Sequence, residues 1–207
     1  MLFGSLQSKR EGISKLCQLG GNRFLRGVVH RILQDAQNAI PEESSGKRRF
    51  RNILENEMVM NQIFEKFVLR FAMRHCVGAK VRAMKINWIG EWDAEVAKVL
   101  PEMRTDVTLN YPHKKVILDC KYYKAALISR HDSYRLHSSH LYQLNAYLQN
   151  KSRDAGWEDV SGILLYPSVL PGLHLSFELL GHHIQIESID LNQPWPMIHE
   201  QLLKILV

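Results

Sequence analysis

Residues 104–124, RTDVTLNYPHKKVILDCKYYK, hold two aspartates and a lysine at spacings that suit phosphodiester chemistry. Along residues 115–121 side chains alternate, so Val116, Leu118 and Cys120 face one way and Ile117, Asp119 and Lys121 the other. A strand that follows three aliphatic residues with an acid and a lysine on one face is unusual for a buried element. Asp106 lies in the preceding predicted strand, and a turn through Pro112 brings that strand alongside. Two carboxylates and an ammonium then converge. Carboxylates are hard oxygen ligands that hold Mg²⁺, or Mn²⁺ in its place, while leaving several waters on the ion. Such an ion activates a water and neutralises charge on a phosphate, and a nearby lysine orients the water or stabilises the developing charge. On D-x-K alone, an ordinary Asp–Lys ion pair at the end of an edge strand is the commoner explanation.

The elements that must position these groups are legible from apolar periodicity. Residues 22–38 place Phe24, Leu25, Val28, Val29 and Ile32 at helical spacing. A polar stretch with Pro41 and Gly46 follows, closing on Lys47, Arg48, Arg49 and Arg51, and reads as a linker. Residues 1–50 are thus a short helical segment and linker, and 51–207 the main domain. A long helix is predicted over 52–75, with Met60, Phe64, Phe67, Val68 and Phe71 as its stripe and Gly78 ending it. A strand over 80–88 turns Val81, Ala83 and Ile86 inward, and an unassigned segment runs on to Pro101. Strands over 105–110 and 115–122 form a hairpin, and a loop of some fifteen residues leads to a helix over 138–150. The apolar run 162–166 predicts a central strand covered on both faces. A second hairpin turns about Gly181 and His182, and Pro196 opens a final helix. His182 and His183, at that turn, read as surface. The order is helix, three strands, helix, strand, then hairpin and helix: a mixed α/β domain with one sheet covered by helices.

Composition narrows the class. With 207 residues, 45% hydrophobic and 23% charged, the chain is neither disordered nor fibrous and needs no staples for its core. Lys and Arg number 27 against 21 Asp and Glu, a +6 balance compatible with a polyanionic partner. Cys17, Cys76 and Cys120 are too few and too scattered for a disulfide framework or a zinc ribbon. His131, His137 and His140 lack the cysteine or paired carboxylate that would complete a zinc set. No apolar run approaches the ~20 residues of a membrane span, and no secretory leader is evident. The expectation is a soluble cytoplasmic protein.

D…D-x-K resembles the signature of the PD-(D/E)xK nuclease superfamily, whose restriction-endonuclease-like core is helix, three strands, helix, strand. Glu65, in the first long helix, stands where that superfamily often carries an acidic ligand, and its helical neighbours Asn61, Gln62, Val68 and Leu69 include no cation. Gln143 and Tyr147 form Q-x-x-x-Y on one helical face, a motif of the RecB-like branch. Four ordered pieces are similar to the McrC family, the nuclease subunit of 5-methylcytosine-specific restriction systems: IFEKFV (63–68), LPEMRTDVTL (100–109), ILDCKYYK (117–124) and LYQLNAYL (141–148).

The resemblance implies that Asp106 and Asp119 ligand the metal, helped by the carbonyl of Cys120 and by Glu65 directly or through water. It makes Lys121 the catalytic lysine, with Gln143 and Tyr147 as supports. It also implies a partner, an AAA+ GTPase motor that reads methylated DNA and couples to a domain ahead of the nuclease. About fifty residues stand there in this sequence, fewer than such a domain occupies. Residues 121–140 independently suit double-stranded DNA: Lys121, Lys124, Arg130 and Arg135 face one acid, Asp132, with Tyr122, Tyr123 and Tyr134 interleaved. The expected activity is metal-dependent DNA cleavage by a restriction subunit. Rival readings are a RecB-like repair or anti-phage exonuclease, and a non-catalytic DNA-binding or motor-docking module. Intact Asp106, Asp119 and Lys121 weigh against the last.

Overall fold

Phe64, Val68, Phe71 and Ala72 recur every three or four residues, so a helix over this stretch presents one continuous apolar side. A computed structural model describes residues 57–122, 127–130, 133–168, 173–191 and 193–207, and in it that helix is α1, Glu57–His75. The predicted helix over 22–38, the linker and the boundary near residue 50 lie outside the described residues. Beyond α1 the chain turns at Gly78, whose φ of 86° suits a residue without Cβ, and enters the sheet.

That sheet has six strands in the order β1–β4–β5–β8–β10–β9. They are β1 (Lys80–Arg82), β4 (Val107–Asn110), β5 (Lys115–Cys120), β8 (Ser161–Ser168), β9 (His174–Leu179) and β10 (His182–Asp190). β5, β8 and β10 run parallel to one another, whereas the β1–β4, β4–β5 and β9–β10 pairs are antiparallel. Helix α3 (Ser138–Lys151) lies in the crossover from β5 to β8, and α4 (Trp195–Leu206) follows β10. Strict alternation sorts the core. Val107, Leu109, Val116, Leu118, Cys120, Ile163 and Leu165 pack under α1 and α4. Ile117, Leu164, Tyr166, Ile184 and Ile186 pack under α3. The predicted order of helix, three strands, helix, strand, hairpin and helix is present, and so is the alternation in 115–121.

Several boundaries differ from expectation. The strand predicted over 80–88 is two pieces: β1 stays in the main sheet, while β2 (Lys85–Ile86) leaves it to pair with β3 (Met103–Arg104). Between these pieces Met84 and Thr105 exchange bonds, Thr105 N to Met84 O and Met84 N to Thr105 Oγ1, each at 2.9 Å. A hydroxyl in place of a ladder carbonyl is what breaks the strand there. Consequently β4 begins at Val107, and Asp106 stands just before it rather than within it. The unassigned segment holds α2 (Ala94–Val99), an exposed helix whose first amides bond the carboxylate of Asp93. The fifteen-residue loop contains a hairpin of β6 (Leu127–Arg130) and β7 (Ser133–Leu136). The second hairpin turns at Leu180 and Gly181, with φ of 50° and 83°, one residue earlier than expected. His182 is therefore inside, with Nδ1 2.9 Å from the carbonyl of Val160, because it opens β10 rather than capping the turn. Among the described residues no helix is long and apolar enough to cross a membrane.

Candidate active site

The pairing of Val107 with Leu118 carries β4 and β5 side by side, so the next step along the hairpin sets Asp106 beside Asp119. Asp106 Oδ2 accepts the backbone N–H of Cys120 at 2.7 Å, which ties the residue preceding β4 to the last residue of β5. Asp119 is 1% exposed. Its Oδ2 lies 2.8 Å from the ammonium of Lys121, and its Oδ1 meets no hydrogen-bond donor among the described residues. Lys121 donates to Gln143 Oε1 at 2.8 Å, and Gln143 Nε2 donates to Tyr147 Oη at 2.6 Å. The i,i+4 pair on α3 thus grips the lysine at the end of β5. Glu65 comes from α1, on the other face of the sheet, to the same strand end. There the backbone N–H of Tyr122 donates to Asn61 at 2.7 Å, one helical turn before Glu65.

Among the described residues, three carboxylates gather about the Lys121 ammonium, with Lys66 also acting on Glu65. Burial, then the neighbouring Asp119 and Glu65, push Asp106 up to about 8, with the Cys120 N–H pulling the other way. Burial also raises Asp119, against the pull of Lys121, and raises Glu65, where Lys121 opposes and Asp119 adds. Burial disfavours the charge on Lys121, but attraction to Asp119 and then Asp106 outweighs it, so its pKa is raised and the lysine stays a cation. Burial and mutual repulsion thus favour the protonated forms of these acids. A divalent cation would let these acids ionise together, and Oδ1 of buried Asp119, which meets no donor among the described residues, could serve as one of its ligands. Among the described residues no three His, Cys, Asp or Glu side chains form a ready cage. Two carboxylates with backbone and water oxygens are nonetheless the usual donor set for Mg²⁺. The residues fit that ion and do not resemble a zinc site.

The structure therefore brings together Asp106, Asp119, Lys121, Gln143 and Tyr147, with Glu65 at the border. Cys120 enters through its backbone, while its thiol points into the apolar core on the other side. Of the expected DNA contacts, Tyr123 and Lys124 lie outside the described residues. Arg130 and Arg135 sit on β6 and β7, opposite Ser133 and Ile128, with their side chains outside the description.

Two groups near the site escaped the sequence reading of roles. Asn61 was visible only as a neutral neighbour of Glu65. His140 is buried on α3, with Nδ1 2.9 Å from Tyr166 Oη and its ring stacked on His137. Its helical spacing from Gln143 was readable, its partner on β8 was not. Burial, then Lys121 and His137, lower its pKa to about 4. The folded ring is neutral where the unfolded ring, near 6.5, already takes a proton. Stability from this group is complete above about 6.5 and is lost as pH falls through about 4. Melting temperature should drop across that interval. His140→Asn, which keeps a polar atom near Tyr166 but cannot titrate, should flatten the drop by about one proton's worth. An unchanged slope would exclude His140 as its source.

The family model described as McrBC 5-methylcytosine restriction system component matches residues 29–167. A relative from Escherichia coli (strain K12), the type IV methyl-directed restriction enzyme EcoKMcrBC, is 31% identical over 212 residues, covering 97% of this chain and 61% of that protein. The chain thus spans about three fifths of the length of that relative. The family match takes in α1, the β4–β5 hairpin with its two aspartates and lysine, and the α3 residues that hold the lysine. The chain belongs to the McrBC 5-methylcytosine restriction system component family.

Proposed function

We propose that this chain is a metal-dependent DNA endonuclease, the cleaving subunit of a restriction system directed at 5-methylcytosine. The observation that carries the proposal is the Asp106–Asp119–Lys121 cluster, in which a buried carboxylate oxygen without a donor adjoins a lysine held in place by Gln143. Asp106 and Asp119 would hold Mg²⁺, or Mn²⁺, with the Cys120 carbonyl and with Glu65 directly or through water. When bound, the ion supplies Lewis-acid activation of a water and neutralises charge on the scissile phosphate.

The remaining work falls to this chain's own side chains. Lys121 keeps its proton, so it acts as a fixed cation that orients a water or meets the negative charge of the transition state. Gln143 accepts from Lys121 and donates to Tyr147, which prevents the ammonium from collapsing wholly onto Asp119. Lys124, Arg130 and Arg135 would contact phosphates and Tyr123 a base face.

Phosphate contacts position a duplex and carry little sequence information. Recognition of a methylated base then belongs to a separate motor, an AAA+ GTPase, as the family's system role suggests. The purified chain should bind methylated and unmethylated duplexes of one sequence equally and weakly, with steep salt dependence. Removing Lys124, Arg130 or Arg135 singly should flatten the log–log salt slope by about one contact. Filter binding or anisotropy across a salt series measures both. Tight, methylation-selective binding by the chain alone would contradict this division of labour.

A further inference from the structure

Asn61 lies on α1 between two groups that belong to different elements. Its Oδ1 accepts the backbone N–H of Tyr122 at 2.7 Å, and its Nδ2 donates to Glu65 Oε1. The orientation of the amide follows from chemistry: a backbone N–H can only donate, so the oxygen must face Tyr122 and the nitrogen, a pure donor, must face the carboxylate. The same turn of α1 carries Phe64, whose ring meets Tyr122 edge-on with centroids 6.4 Å apart.

The bond to Tyr122 comes at a particular point of the chain. Lys121 N still donates to Leu165 O of β8 at 2.9 Å, continuing the ladder of β5. At the next residue the backbone leaves the sheet, and its N–H goes to α1 instead. Asn61 thus holds the backbone just past the strand that carries Asp119 and Cys120, and the same amide ties down one oxygen of Glu65. Without it, α1 and β5 would still meet through Phe64, Val68, Leu118 and Cys120, but apolar contacts do not set a carboxylate's rotation.

Resting on the nuclease reading above, we propose that Asn61 is a positioning residue for the cation site: one amide that sets the orientation of Glu65 and its register with the end of β5. A hydrogen bond to a charged group contributes about a tenfold change in an equilibrium. Alanine suits a mid-helix position, so Asn61→Ala should fold normally.

The test is Mn²⁺ affinity, followed by electron paramagnetic resonance without DNA, in a double-mutant cycle. Asn61→Ala should weaken Mn²⁺ binding about tenfold in the wild-type background and no more than about threefold in Glu65→Gln. General loosening of the fold would instead cost the same factor in both backgrounds, and equal losses would overturn the proposal. So would unchanged affinity in Asn61→Ala alongside loss of binding in Asp119→Asn, an outcome that leaves the nuclease reading standing. A wild-type chain that binds no Mn²⁺ would refute that reading, and this proposal with it.

Discussion

Asp119→Asn is expected to abolish Mg²⁺-dependent cleavage, by about a thousandfold or more, and to weaken Mg²⁺ binding in the same protein. The substitution keeps shape and removes charge from a side chain with one oxygen on Lys121 and the other without a donor. In EDTA two effects oppose each other, since a costly buried carboxylate disappears while Lys121 loses its nearest counter-charge. The fold should therefore survive, with far-UV circular dichroism unchanged. Lys121→Ala should abolish cleavage equally yet leave Mg²⁺ binding unchanged or tighter, because a lysine is no ligand and a cation 2.8 Å from Asp119 has gone. Calorimetric titration of metal beside a plasmid-cleavage assay separates the two variants. Wild-type cleavage by either, under conditions where the parent cuts, would remove the cluster from the mechanism.

Gly162→Val should cost both stability and activity without touching a site residue. Gly162 lies on β8 beneath α3, where an added Cβ would come within 2.9 Å of Leu144 Cδ2 and Leu148 Cδ1 and 3.1 Å of Leu144 Cγ. Both leucines are fully buried, so they have little room to withdraw. Alanine would already press on both leucine side chains, the branch carbon of Leu144 included. Valine adds two more carbons, and overpacking of this kind costs about 1–3 kcal/mol. The relief is to lift α3, which carries Gln143 and Tyr147 away from Lys121. Turnover should fall while metal affinity holds, since Asp106 and Asp119 are placed by β4 and β5. Metal affinity lost together with turnover would show that the sheet itself had been disturbed. A valine variant with the parent's melting temperature and turnover would show that α3 does not need this close approach.

Much of the fold was legible in the sequence because burial imposes a period. Val116, Leu118 and Cys120 against Ile117, Asp119 and Lys121 is a period of two, and the stripe Phe64, Val68 and Phe71 a period of three to four; each names a face that must be covered. The unbroken run at 162–166 likewise announced a strand covered on both sides. Local turn chemistry was less exact. The turn falls on Leu180 and Gly181 rather than one residue later, so His182 is buried, although two adjacent histidines beside a glycine resemble surface. The β6–β7 hairpin is not legible in the sequence because its strands, Leu127–Arg130 and Ser133–Leu136, are four residues each, too short for a period to stand out.

The candidate site divides along the same line. Asp119 and Lys121 share a face by the pleat alone, and Gln143 and Tyr147 share one by the helical turn, so residue types and spacing were enough to assemble each pair. That Lys121 meets Gln143, that Asp106 bonds the Cys120 amide from outside its strand, and that Asn61 joins α1 to Tyr122 depend on which elements lie against each other. Periodicity says that a face is buried but not what buries it. The distance between α3 and β8, held by the missing side chain of Gly162, leaves no periodic trace at all.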